Sequence, residues 1–160
     1  MPVFLDDRLE GAPVNALKLK RRLGKVLKAL GRGDSSVGVM LAGDKELREL
    51  NREFRGKDAP TNVLAFPFEG GAADRPGEQL PGPRLPTSMR GYLGDVALSL
   101  ETVARQAEEA GSDAGELLYF YLIHGVLHLL GHDHELGEAE AEAQDRETER
   151  LMSLIPSTLK

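Results

Sequence analysis

Leu117-Leu-Tyr-Phe-Tyr-Leu-Ile-His124-Gly-Val-Leu-His128-Leu-Leu130, followed by Gly131-His132-Asp133-His134, is the stretch on which the reading of this chain turns. Residues 117–130 are the most apolar of the sequence, too few to span a bilayer, and they include two histidines. They predict a buried central helix that begins near Asp113. All four histidines of the 160-residue chain lie between 124 and 134. Residues four apart share one helix face, so His124 and His128 offer two imidazoles to a single ion. Gly131 takes the left-handed backbone that ends a helix, which lets His134 fold over as a third ligand. Three protein ligands leave one position of a tetrahedral zinc ion open, the arrangement of a catalytic site. Such a site suggests a hydrolase.

A lone histidine on an apolar helix is usually a hydrogen-bonded core residue. Two imidazoles side by side in a Leu-rich helix cost free energy unless both find partners, and one shared metal ion satisfies them together. Neutral imidazole ligands favour zinc, one ion per chain. His132 competes with His134, because 128 and 132 are also four apart. Choosing His132 requires the helix to run through Gly131, so His134 is preferred. Asp133 either orients a ligand imidazole or bonds its own turn, and the sequence weighs the two equally. The same spacing occurs in the metzincin proteases, where a glutamate directly after the first histidine is the general base. Here that residue is Gly125. Glycine moves no proton, so peptide hydrolysis by that route is disfavoured.

Working outward, the composition is that of one soluble globular domain over residues 1–160, with 41% hydrophobic and 29% charged residues. Cysteine is absent, which excludes disulfides and thiolate metal sites and fits a reducing cytoplasm. The first seven residues show no signal-peptide pattern. A net charge of −6 argues against coating nucleic acid through the overall field. The charge is uneven, though. Lys18, Lys20, Arg21, Arg22, Lys25, Lys28 and Arg32 form a basic run, whereas the C-terminal part is acidic. That run is either a face for phosphates or a solvated helix surface, and both readings stand.

Residues 15–30 have helical period, with Leu19, Leu23, Val26, Leu27 and Leu30 in one stripe and Lys18, Arg21, Arg22, Lys25 and Lys28 opposite. Strands are expected at 37–42, 61–67 and 92–99. Helices are expected from Asp44, as a cap, to about Phe54, at 101–110 before Gly111, and at 138–154 before Pro156. Residues 69–90 hold Gly70, Gly71, Pro76, Gly77, Pro81, Gly82, Pro83 and Pro86 without apolar period, and are expected to form a mobile loop. The order predicts an α+β domain: a small mixed sheet covered by helices, with the histidine-bearing helix at its centre.

Three segments resemble the YbeY family of bacterial endoribonucleases, the rRNA maturation factors. They are His124-Gly-Val-Leu-His-Leu-Leu-Gly-His-Asp-His134, Asn51-Arg-Glu-Phe-Arg55-Gly-Lys-Asp58-Ala-Pro-Thr61-Asn-Val-Leu-Ala-Phe-Pro67 and Gly94-Asp95-Val-Ala-Leu-Ser99. The resemblance implies a zinc-dependent endoribonuclease specific for single strands, acting in 16S rRNA 3′-end maturation and ribosome quality control. It implies metal ligation by His124, His128 and His134, and an active role for Arg55. The implied partners are single-stranded RNA, the rRNA precursor and the small ribosomal subunit, with neither DNA nor membrane. The family usually has tyrosine where this chain has His132, which adds a competitor ligand and leaves the three ligands intact.

Physically, a guanidinium binds two phosphoryl oxygens at once, which suits Arg55 before its turn. Read from sequence alone, a salt bridge to Asp58 or to a carboxylate elsewhere is the favoured role for Arg55, and only the resemblance reverses that. Asp95 and Thr61 either line the cleft or secure strand ends, with the structural role favoured. The nucleophile is either the 2′-hydroxyl of RNA or a water activated by the metal. Two rivals remain: a metal-dependent hydrolase of another substrate, and a zinc-stabilised ribosome-assembly factor without activity.

Overall fold

The computed structural model describes residues 3–8, 15–68, 91–131 and 137–154. The expected loop at 69–90 and the residues 132–134 lie outside them. The elements are β1 (Val3–Asp7), α1 (Ala16–Ala29), β2 (Ser36–Ala42), α2 (Asp44–Arg55), β3 (Val63–Pro67), β4 (Tyr92–Ser99), α3 (Leu100–Ala110), α4 (Ala114–Leu129) and α5 (Glu138–Leu154). This is the expected α+β architecture, a mixed sheet covered by helices.

The strands are ordered β1-β2-β4-β3. β1 and β4 both pair with β2 in parallel, and β3 pairs antiparallel with β4, Val63 opposite Leu98 and Pro67 opposite Gly94. Strand alternation sends Val37, Val39, Leu41, Val96 and Leu98 to one face, where they meet Leu23 and Leu27 of α1 and Leu118, Leu122 and Val126 of α4. The other face presents Ala42, Leu64, Phe66 and Ala97 to Leu47 of α2. α4 packs on β3, β4, α1, α3 and α5 at once, so it is the central helix that its apolar run predicts. Among the described residues, no helix is long and apolar enough to cross a membrane.

β1 was not expected. Its sequence, Val-Phe-Leu-Asp-Asp, buries only Val3 fully, because an edge strand covers one side and leaves Phe4 about half exposed. Such a strand lacks the clean alternation that a sequence pattern can register.

Two further expectations are corrected. Asp44 does not cap α2: the N-cap is Gly43, without a side-chain bond. The Asp44 carboxylate instead accepts hydrogen bonds from Ser99 Oγ at 2.6 Å and Thr102 Oγ1 at 2.5 Å, and pairs with Arg105 at 2.8 Å, tying α2 to the start of α3. Arg22 does not belong to the solvated basic stripe. It is 3% exposed, lies 3.9 Å over the Tyr119 ring, and pairs with Glu116 at 3.1 Å. Position 22 follows Leu19 by three and precedes Val26 by four, so it shares their buried flank.

Candidate metal centre

α4 starts where Asp113 accepts a hydrogen bond from the Glu116 amide at 2.9 Å, an N-cap. It stops at Leu130, and Gly131 takes φ 102° with its amide bonded to the His128 carbonyl at 3.0 Å. The helix thus ends before Gly131, as its sequence position predicts. His132 and His134 themselves lie outside the described residues.

His124 and His128 stand one turn apart on α4, both half-buried. The His124 side chain is 17% exposed and stacks on Phe120, with centroids 6.2 Å apart and planes 22° apart. Its Nδ1 lies 3.9 Å from Asp145 Oδ1 of α5. The His124 carbonyl accepts a hydrogen bond from Gln144 Nε2 at 3.0 Å. This donor set, neutral imidazoles on one face of a helix that ends just beyond them, suits a zinc ion. Among the described residues no three histidines or carboxylates converge as a ligand set. A three-ligand site would need a further group from outside them.

Gly125 turns the opposite way. A Cβ there would stand 2.7 Å from Val96 Cγ1 and 3.3 Å from Val63 Cγ2. The position is a helix–sheet contact, and a glutamate could not be seated there as a base. The glycine that disfavours a protease is thus required by packing.

Arg55 is the last residue of α2 and is exposed. Gly56 follows in the left-handed conformation, φ 71°, with its amide on the Arg52 carbonyl, while the Lys57 amide reaches the Asn51 carbonyl. Both oxygens of Asp58 bond to Arg48, at 2.7 and 3.2 Å, so the carboxylate suggested for Arg55 is engaged by another arginine. The ends of α2 and α4 meet the same end of β3. Phe54 packs edge-on against Phe66 at 5.4 Å, and a Cβ on Gly94 would touch the Phe66 carbonyl, the Phe68 amide and Leu129 Cδ2. The two contacts come from opposite faces of the sheet, α2 lying on the side of Leu64, Phe66 and Ala97 and α4 on the side of Val96 and Leu98.

Asp95 has the structural role favoured for it. The Tyr92 hydroxyl donates a short hydrogen bond to its carboxylate, and Gly38 leaves room for both. Burial pushes the Asp95 carboxyl up, with the Tyr92 hydroxyl opposing, and burial followed by the Asp95 bond pushes the Tyr92 hydroxyl up too. Thr61 is half-buried in the turn before β3.

The remaining basic residues of α1 behave as expected. Arg21, Lys25 and Lys28 are exposed and border an open groove of about 380 Å³. This groove lies beside the N-terminal half of α4, since α1 meets it at Glu116 and Tyr119. Glu116 and His124 are eight positions apart, roughly 12 Å of helix. Sequence reasoning missed Gln144 and Asp145. Gln144 shares a buried stripe with Thr148 and Leu151, but two polar residues in that stripe read as solvent-facing.

Fold and site together define an α+β domain organised around a histidine-bearing helix that is suited to a metal ion. Comparison with known proteins gives the family: the model described as Endoribonuclease YbeY matches residues 6–155. The chain belongs to that family. The protein named Endoribonuclease YbeY from Geobacter sulfurreducens is 37% identical over 157 residues, covering 97% of this chain and 96% of its own length. Its namesake from Geobacter metallireducens is 40% identical over 151 residues (92% and 93%), and that from Thermus thermophilus is 39% identical over 137 (86% and 88%). The solution structure of TM1509 from Thermotoga maritima matches with a TM-score of 0.57 at 27% identity, covering 95% of this chain and 90% of that one.

Proposed function

We propose that this chain is a zinc-dependent, single-strand-specific endoribonuclease of the cytoplasm that matures the 3′ end of 16S rRNA on the small ribosomal subunit and serves ribosome quality control. The observation that carries this reading is the pair His124 and His128 on one face of a helix that stops at Gly131, in a chain whose relatives are named endoribonucleases. His124, His128 and His134 are the residues that would hold the ion. When bound, zinc supplies a Lewis acid that lowers the pKa of water and neutralises charge on a phosphoryl oxygen.

The other steps fall to the chain itself. Arg55 binds two phosphoryl oxygens of the scissile phosphate and stabilises the charge they gain in the transition state. The His124 imidazole stacks on Phe120, which limits its reorientation. Arg21, Lys25 and Lys28 attract the RNA backbone about two to three turns of α4 away from the histidines, a span that one strand crosses.

The test compares zinc-loaded wild type, His124→Ala and Arg55→Ala on matched single-stranded and duplex RNAs, with zinc content measured on each. Wild type is expected to cut the single strand alone. Each variant should lose about 100-fold or more in rate, and Arg55→Ala should keep its zinc. No cleavage by zinc-loaded wild type, together with normal cellular 16S ends in Arg55→Ala, would make the chain a binding factor instead.

A further inference from the structure

We propose that Asp145 is a positioning residue of the metal centre: its carboxylate takes the Nδ1–H of His124 and thereby directs Nε2 toward the ion. The proposal rests on the metal-site reading above and extends it to a helix that supplies no ligand.

α5 brings two consecutive residues to His124. Gln144 is fully buried and donates Nε2 to the His124 carbonyl at 3.0 Å, which fixes the register of α5 on this turn of α4. Thr148 supports it, its hydroxyl bonding to the Gln144 carbonyl at 2.7 Å. The next residue, Asp145, then stands at the imidazole edge with Oδ1 3.9 Å from Nδ1. Phe120 covers one ring face, so the plane of the imidazole is set as well as its edge. The Asp145 side chain is 60% exposed, so its carboxylate is not locked by packing, and the proposed contact requires it to approach from 3.9 Å to about 2.7–3.2 Å. The arginines flanking it on α5 have other acidic partners, Glu142 for Arg146 and Glu147 for Arg150.

The chemistry of such a contact is specific. In neutral histidine one ring nitrogen carries the proton and the other the lone pair, and a carboxylate at one nitrogen selects which. A carboxylate at Nδ1 leaves the lone pair on Nε2 and makes it more basic. An ordinary surface ion pair would do neither, and would contribute little to stability.

The experiment uses the full chain as Asp145→Ala, Asp145→Asn, Asp145→Glu and, as a control, Arg146→Ala. Zinc affinity is measured by chelator competition, and the His124 tautomer by nitrogen NMR of the metal-free protein. Asp145→Ala is expected to weaken zinc binding about 10- to 100-fold and to mix the two tautomers, Asp145→Asn to fall between, and Asp145→Glu to recover most of the loss. Arg146→Ala and all melting temperatures should match wild type. Unchanged zinc affinity and tautomer in Asp145→Ala, with wild type binding zinc and His124→Ala not, would overturn this proposal alone. Failure of wild type to bind zinc would overturn the metal site and this proposal together.

Discussion

Gly125 of α4 lies against Val96 of β4 so closely that a Cβ would stand 2.7 Å from Val96 Cγ1. The contact sets the distance of the histidine helix from the sheet. Gly125→Ala should gain about 1 kcal/mol of helix propensity and lose about 1–3 kcal/mol to overpacking, because a β-branched neighbour cannot swing away. The expected outcome is a net loss of stability in denaturant unfolding and a weaker zinc site. A stabilised Gly125→Ala would show that the helix is free to lift.

Arg22 and Arg21 are adjacent in sequence and opposite in role. Arg22→Ala removes a buried guanidinium from Tyr119 and Glu116 and should cost about 2–3 kcal/mol in unfolding experiments, somewhat under the cost for a fully buried pair because Glu116 keeps some solvent. Arg21→Glu and Lys25→Glu should alter stability by no more than about 0.5 kcal/mol.

The same two exposed substitutions test the RNA face. Combined Arg21→Glu and Lys25→Glu should weaken single-stranded RNA binding and flatten its dependence on salt, since fewer counterions are released. Equal affinity and equal salt slope would discard this surface.

Asp44 and Asp95 give opposite pH dependences. Burial alone would raise Asp44, but Arg105, Ser99 and Thr102 outweigh it and hold the carboxyl below its ordinary value of 3.8. Its contribution to stability is therefore present above that value and lost as pH falls through the depressed one. Burial raises Asp95, so the folded state binds that proton more readily than the unfolded chain. Stability on its account falls as pH rises from 3.8 through the raised value. Urea unfolding across the acid range should show that Asp44→Asn removes part of the acid loss, and Asp95→Asn part of the decline above it. Parallel curves for wild type and both variants would contradict these assignments.

Much of this was legible in the sequence because it rests on period and punctuation. The extent of β4, the bounds of α5 and the end of α3 at Gly111 followed from apolar spacing and breaker residues. The histidine pair and the stop at Gly131 followed from helix geometry. What escaped depends on contacts between elements distant in sequence. Arg22 reads as surface until α4 brings Tyr119 and Glu116 over it. Asp44 reads as a cap until α3 supplies Ser99, Thr102 and Arg105. Gln144 and Asp145 read as part of an acidic surface helix until α5 lies on His124. The necessity of Gly125 is likewise invisible without Val96.

X-ray absorption at the zinc edge of the loaded protein tests the central claim most directly. It should report one zinc per chain bound by three imidazole nitrogens at about 2.0–2.1 Å and one exchangeable oxygen. His134→Ala should remove one of the nitrogens. Four protein ligands, or a zinc with fewer than three imidazoles in wild type, would contradict the account.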